Sequence, residues 1–301
     1  MSTSAKNLKR GSFSVWIIAS RIPTLPAAIA PVIVGTAMAH YTYSFDLKIA
    51  TLAMIGAIAI QIGANLANDF SDFRRGADNA ERIGPVRVMQ QGLLSEKEIL
   101  MGASISFGIS MIIGLYFFYI VGWPILAIGT FSLLAAVTYT GGPWPFGYKG
   151  LGDLFVFIFF GLVAVCATFY VQTKTINLEV ILTAIPIACL VTAILIVNNI
   201  RDIETDRRSK KYTLAVYCGR TFAKCEYILL LLVAYLAPLF FIIFDILPFS
   251  TLFVFLSFPL CIKPVMAILS RQDGPSLNAA LKGTALVHLS FAILMSLGLF
   301  L

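Results

Sequence analysis

The sequence predicts an all-α, polytopic membrane protein: nine transmembrane helices in a bundle around a central cavity that opens on the cytoplasmic side. Three observations carry this expectation. Of 301 residues, 59% are hydrophobic and 12% charged, with a mean hydropathy of +0.89, where a soluble domain is about 25% charged. Apolar runs long enough to cross a bilayer as a helix, which takes about 20 residues, recur nearly end to end. The basic residues, finally, collect on one side of those runs. An ordinary soluble domain and a disordered chain are both excluded.

Taken in order, the runs between polar or Pro/Gly punctuation place helices over 22–41, 47–69, 98–120, 123–140, 151–172, 178–199, 222–243, 249–269 and 282–301. In the first, Pro23, Pro26 and Pro31 predict a bend. They also argue against a cleaved signal peptide, despite the Ala37-Met38-Ala39 ending. Residues 1–14 read as a disordered cytoplasmic tail, and 1–301 as a single membrane domain. The fourth run closes on the turn-forming Gly141-Gly142-Pro143-Trp144-Pro145. With a cytoplasmic amino terminus, inward segments receive 20 of the 22 Lys and Arg, leaving Lys48 and Lys174 outside. A miscount of one helix would scramble that tally, so it supports both the number of spans and their orientation. The same bias accounts for the net charge of +7 without a nucleic-acid partner. Five cysteines lack metal-type spacing and read as reduced, structural thiols.

Two stretches concentrate chemistry. The second run ends in ANLANDFSDFRRGAD (64–78) and the sixth in VNNIRDIETDRRSKK (197–211). Setting Asn68 on Asn198 aligns Asp72 with Asp202, an N-x-x-x-D pattern that recurs four helices later and so on the same membrane face. Asn65, Asn68, Asp69 and Asp72 form one helical stripe, and Asn198, Asp202 and Asp206 another. Stacked carboxylates repel one another and are costly at a membrane boundary, so they call for a compensating cation. Mg²⁺ suits them: it prefers oxygen ligands and is held by one or two carboxylates together with substrate phosphate. Arg74, Arg75, Arg82, Arg87, Arg201, Arg207, Lys210 and Lys211 lie in the same segments and can neutralise a diphosphate.

At these residues the chain resembles the UbiA-type superfamily of membrane prenyltransferases. Within it, NDFSDFRRGADNAERIGPVRVMQQGLLS, NNIRDIETDRRSKKYTLAV, YTGGPWPFGYKGLGDLFVF and RIPTLPAAIAPVIVG are similar to the 1,4-dihydroxy-2-naphthoate prenyltransferases of menaquinone synthesis (MenA-type). The superfamily's D-x-x-x-D spacing is shifted here, Asp72 being followed by Asp78. The resemblance implies that Asn68, Asp69, Asp72 and Asp78 hold one Mg²⁺ against a polyprenyl diphosphate, and Asn198, Asp202 and Asp206 a second. It implies ionisation of the allylic C–O bond and attack by 1,4-dihydroxy-2-naphthoate, with loss of CO₂ and diphosphate to give demethylmenaquinol. Catalysis is expected of Asp72, Asp202, Asp206 and Tyr139. Substrate contacts are expected of Arg21, Asn65, Arg75, Arg87, Lys149, Asp153, Arg201 and Lys210. For Arg21 a lipid-headgroup anchor stays open, and for Tyr139 and Tyr148 interfacial anchoring. His40 and His288 read as structural. Two further readings stay open: another aromatic acceptor, such as 4-hydroxybenzoate or homogentisate, and a cation-coupled secondary transporter, which would hold carboxylates near the membrane midplane.

Overall fold

The computed structural model describes residues 9–76, 84 and 87–301. Among them every regular element is helical, apart from a single bridge between Lys149 and Tyr212. The amino-terminal apolar region is a broken helix. α1 (Phe13–Ser20) and α2 (Pro26–Tyr41) flank a short 3-10 turn at Ile22–Thr24 and are bent by 56°. The break has a local cause: Arg21 adopts the left-handed region at φ 51°, and Pro23 and Pro26, which lack an N–H, sit where helices restart.

α3 (Leu47–Arg74) starts where the Asp46 side chain accepts the Ile49 N–H at 3.0 Å. α4 (Glu96–Val121) opens with a capping box between Ser95 and Glu98. Gly122, at φ 89°, turns the chain into α5 (Trp123–Thr138). One apolar segment, Gly152–Thr173, comprises α6 (Gly152–Val156), a π-helical stretch over Phe157–Val163 and α7 (Ala164–Thr173). There Gly161 lies against α8 (Leu178–Arg208) so closely that an added Cβ would stand 2.1 Å from that of Ala188. α9 (Leu214–Ile243) contains a break at Gly219, φ 85°. A long 3-10 stretch, Phe249–Cys261, leads into α10 (Ile262–Ser270), and α11 (Gly274–Phe300), capped by Asp273, completes the bundle.

Among the described residues, seven helical segments are long and apolar enough to cross a membrane, and the bent α1–α2 pair makes an eighth. α5, with 16 residues, spans only ~24 Å. Large side chains on α4 such as Ile105, Ile112 and Leu115 face outward, as a lipid solvent permits. α8 is the most enclosed span and packs centrally with α2, α7, α9 and α11.

Helix ends depart from the sequence expectation. α3 continues to Arg74 rather than 69, and α8 to Arg208 rather than 199; α9 and α11 begin at Leu214 and Gly274 rather than 222 and 282. Hydropathy marks where apolar character stops, whereas a helix stops where its carbonyls find other donors. On α8 that happens only when Lys210 turns left-handed and the Lys211 N–H reaches the Asp206 carbonyl at 2.8 Å. Of the expected amino-terminal tail, residues 1–8 lie outside the described residues, while Phe13 and Ser14 already belong to α1.

Candidate active site

Because both motif-bearing helices run past their apolar ends, their Asn/Asp stripes sit on the last turns of intact helix. Those turns wall one cavity of about 400 Å³, to which α3 contributes Asn65, Asn68 and Asp72 and α8 contributes Asn198, Asp202 and Asp206. Two stripes four apolar runs apart in sequence therefore share a chamber. Arg21, Arg87, Tyr139 and Lys211 line its polar end; below them the walls become apolar.

The two acidic sites are held differently. Asp72 accepts the Tyr148 hydroxyl at 2.8 Å and Arg87 Nη2 at 3.3 Å, and is 7% exposed. Asp202, 4% exposed, is gripped in a fork by its neighbour Arg201, whose Nε and Nη2 reach the two carboxylate oxygens at 2.7 and 2.6 Å. The same guanidinium donates to Asn198 and, from α11, Asn278, each at 2.7 Å. Lys211 reaches Asp206 Oδ1 at 3.3 Å, while Asp206 Oδ2 is buried with no hydrogen-bond partner. Burial alone would lower the Lys211 pKa, but Asp206, Asp72 and Asp202 together raise it above the ordinary lysine value, so the ammonium stays charged. Acids from both helices thus converge on one cation.

Several expected residues play other parts. Asp69 does not line the cavity: buried, it accepts from both Arg21 and Arg87 and so positions two guanidiniums. Arg201 likewise orients Asp202 and stays outside the cavity wall. Arg75 donates to the carbonyls of Thr140 and Gly142 at 3.1 and 2.6 Å, pinning the 140–150 loop. Lys149 is exposed, its ammonium 4.9 Å above the Trp144 ring, and Lys210 is exposed beyond its left-handed turn. Asp153 is buried behind the wall, where it accepts from Asn199 at 3.2 Å. Arg21, Asn65 and Arg87 do line the chamber; Asn65 donates to the Ser20 carbonyl and to Thr24 Oγ1, tying α3 to the α1–α2 break. Asp78 lies outside the described residues.

Tyr139 faces the cavity, its ring edge-on to Phe146. Burial, then the charges of Asp153, Asp206 and Asp72, push its phenol well above the usual tyrosine range, so it is a neutral group at any physiological pH. The sequence offered Tyr148 only as an interfacial anchor and gave no role to Thr140 or Asn278; of the two adjacent lysines it placed Lys210, not Lys211, among the substrate contacts. Tyr148 is raised for similar reasons, burial first and the Asp72 charge next, and remains a proton donor to that carboxylate. Thr140 donates to Asn68 Oδ1 at 2.8 Å.

The donor set fits a hard cation shared with a substrate. Asn and Asp oxygens line the wall, and Asp206 leaves a buried acceptor oxygen unanswered. Yet among the described residues no three His, Cys, Asp or Glu side chains gather into a metal cage of their own. Mg²⁺, which completes its octahedron with phosphate and water, matches that incompleteness.

Known proteins resemble this chain in sequence and in fold. Residues 28–294 match the UbiA prenyltransferase family. The chain is 37% identical to a 1,4-dihydroxy-2-naphthoate octaprenyltransferase of Escherichia coli, covering 95% of each chain. It is 34% identical to one of Haemophilus influenzae, covering 98% of each. A solved structure of a UbiA homolog from Archaeoglobus fulgidus, bound to GPP and Mg²⁺, superposes with a TM-score of 0.67 at 14% identity, covering 95% of this chain and 99% of that one; it shares the fold.

Proposed function

Since the chain belongs to the UbiA prenyltransferase family, we propose that it is an integral-membrane aromatic prenyltransferase that moves a polyprenyl group from its diphosphate to 1,4-dihydroxy-2-naphthoate, a step of menaquinone synthesis. The observation that carries this reading is the convergence of the α3 and α8 acid stripes on one chamber, polar at the helix ends and apolar below. Asn68 and Asp72 on one side, and Asn198, Asp202 and Asp206 on the other, are the residues that would hold Mg²⁺. The metal would supply charge neutralisation for the departing diphosphate.

The chain's own groups do the rest. Arg21, Arg87 and Lys211 line the polar end and attract the diphosphate; Asp69 and Arg201 keep their partners in place. The allylic C–O bond breaks, the bonding pair leaving with diphosphate. The electron-rich ring attacks the resulting allylic carbon through its carboxylated position, and the carboxylate then departs as CO₂, its electron pair restoring the aromatic ring and giving a demethylmenaquinol. Tyr139, neutral and facing the cavity, offers the developing cation a π face without a nucleophilic phenolate. Apolar walls exclude the water that would quench it.

The bundle is read as one domain, 1–301, in a bacterial plasma membrane, amino terminus and polar mouth facing the cytoplasm. The 20-to-2 distribution of basic residues supports that orientation. A transporter is disfavoured because the carboxylates cluster at the carboxyl ends of α3 and α8. Incubating membranes with a prenyl diphosphate and, separately, 1,4-dihydroxy-2-naphthoate, 4-hydroxybenzoate and homogentisate tests the reading. Prenylated, decarboxylated naphthoquinol is expected from the first alone; product from either other acid instead would reassign the acceptor.

A further inference from the structure

The cavity extends far beyond its polar end. Along α3 it is lined from Asp72 down to Ala53, nineteen residues or ~28 Å of helix, close to the ~30 Å of bilayer hydrocarbon. Part way down, three glycines meet its wall: Gly56 on α3, Gly114 on α4 and Gly129 on α5. They share a level. Gly114 and Gly129 lie eight and seven residues either side of the Gly122 turn, and a Cβ on Gly56 would touch Ile113, the residue before Gly114, at 3.5 Å. Measured along α5, this collar lies ten residues, ~15 Å, below Tyr139.

A helical glycine costs about 1 kcal/mol relative to alanine, so its presence asks for a reason. Gly63 has one in packing: an added Cβ would meet the Phe107 ring at 2.6 Å. Gly114 and Gly129 have no such neighbour, since a Cβ on either meets nothing within 4 Å, and neither holds a positive φ. Both line the cavity. Resting on the prenyl-transfer reading above, we infer that the Gly56–Gly114–Gly129 collar sets the length of linear isoprenoid the enzyme accepts, by leaving the apolar channel open past its midpoint. Side chains added there project into empty space instead of into the protein, so they shorten the channel without disturbing the chamber above it.

The test compares geranyl, geranylgeranyl and octaprenyl diphosphates as donors to 1,4-dihydroxy-2-naphthoate, with membranes carrying wild type, Gly129→Phe, Gly114→Phe and Gly108→Phe. Gly108 is a control on α4 with equal free space around its Cβ that does not line the cavity. In Gly129→Phe and Gly114→Phe the octaprenyl-to-geranyl ratio of kcat/KM is expected to fall ~100-fold, with geranyl turnover within ~3-fold of wild type, the scale on which apolar pockets discriminate chain length. Gly108→Phe should keep the wild-type ratio. If the phenylalanine variants lose all turnover, Gly129→Val and Gly129→Leu replace them, and a ratio falling with side-chain size upholds the collar. An unchanged ratio throughout, with wild type active, overturns it. Wild type inert with every donor overturns the prenyl-transfer reading instead.

Discussion

The carboxyl ends of α3 and α8 carry the same Asn-x-x-x-Asp spacing, yet they are built in opposite ways. On α8 the support is internal. Arg201, one residue before Asp202, holds that carboxylate, Asn198 and Asn278 at once, inside the most enclosed span of the bundle. On α3 the support is borrowed: Asp72 leans on Tyr148 from the 140–150 loop and on Arg87, which precedes α4. One acid belongs to the rigid core and the other to an arrangement of loops. Equal motifs thus need not mean equal mechanics. Deleting the α8 acid should injure fold and chemistry together, while deleting the α3 acid should injure chemistry alone.

Asp202→Ala sharpens this most. Removing the carboxylate strands Arg201 in the interior, and breaking such a buried pair costs about 3–5 kcal/mol. A clear drop in the thermal midpoint in detergent is expected, together with loss of prenyl transfer. Asp72→Ala should lose activity by at least ~100-fold, the usual scale for removing a group that stabilises leaving-group charge, but Arg87 keeps Asp69 and the midpoint should barely move. Equal destabilisation in the two variants would erase the contrast. Chelation by EDTA should abolish turnover in the wild type, and added Mg²⁺ should restore it; turnover that persists through chelation would remove the metal from the proposed mechanism.

A smaller effect separates the adjacent lysines. Lys211→Met should reduce kcat/KM ~10–100-fold, because it removes a desolvated cation facing both acids, whereas Lys210→Met, on the exposed side of the turn, should match wild type. Lys211's raised pKa means that its charge is present below the ordinary lysine value and lost only above it. Wild-type activity should therefore show no decline attributable to this group as pH rises through neutrality. Smallest is Tyr148→Phe: one hydrogen bond to a carboxylate, worth about 1.5–3 kcal/mol, is removed while Arg87 remains, and a loss of ~10-fold is expected. Glu96→Ala, which cuts only the exposed contact with Arg74, should not register in the same assay.

The sequence made the apolar segments and the paired stripes legible because both are periodic, and periodicity survives without coordinates. It was silent wherever a neighbour's identity decides a role. Asn68 and Asp69 are adjacent, so ~100° of helix rotation separates them; one meets the chamber, and the other turns to Arg21, a residue fixed by the break between α1 and α2. No spacing rule distinguishes the two. Lys211 instead of Lys210 follows from a single left-handed φ. Asn278 belongs to a helix that hydropathy starts only at 282, so its contact with Arg201 had no signal at all. Helix ends were misplaced for a related reason: polarity marks the edge of the membrane, and these helices extend beyond it.

The bridge between Lys149 and Tyr212 links the supports of the two acid stripes. Through it the Tyr212 N–H donates to the Tyr148 carbonyl at 3.0 Å, so the chain stretch that bears Tyr148 is stitched to the one that bears Lys211. A shift of the Tyr148 stretch, which supports Asp72, is thereby passed to the stretch whose Lys211 holds Asp206, while Asp202, gripped within α8, stays outside that link.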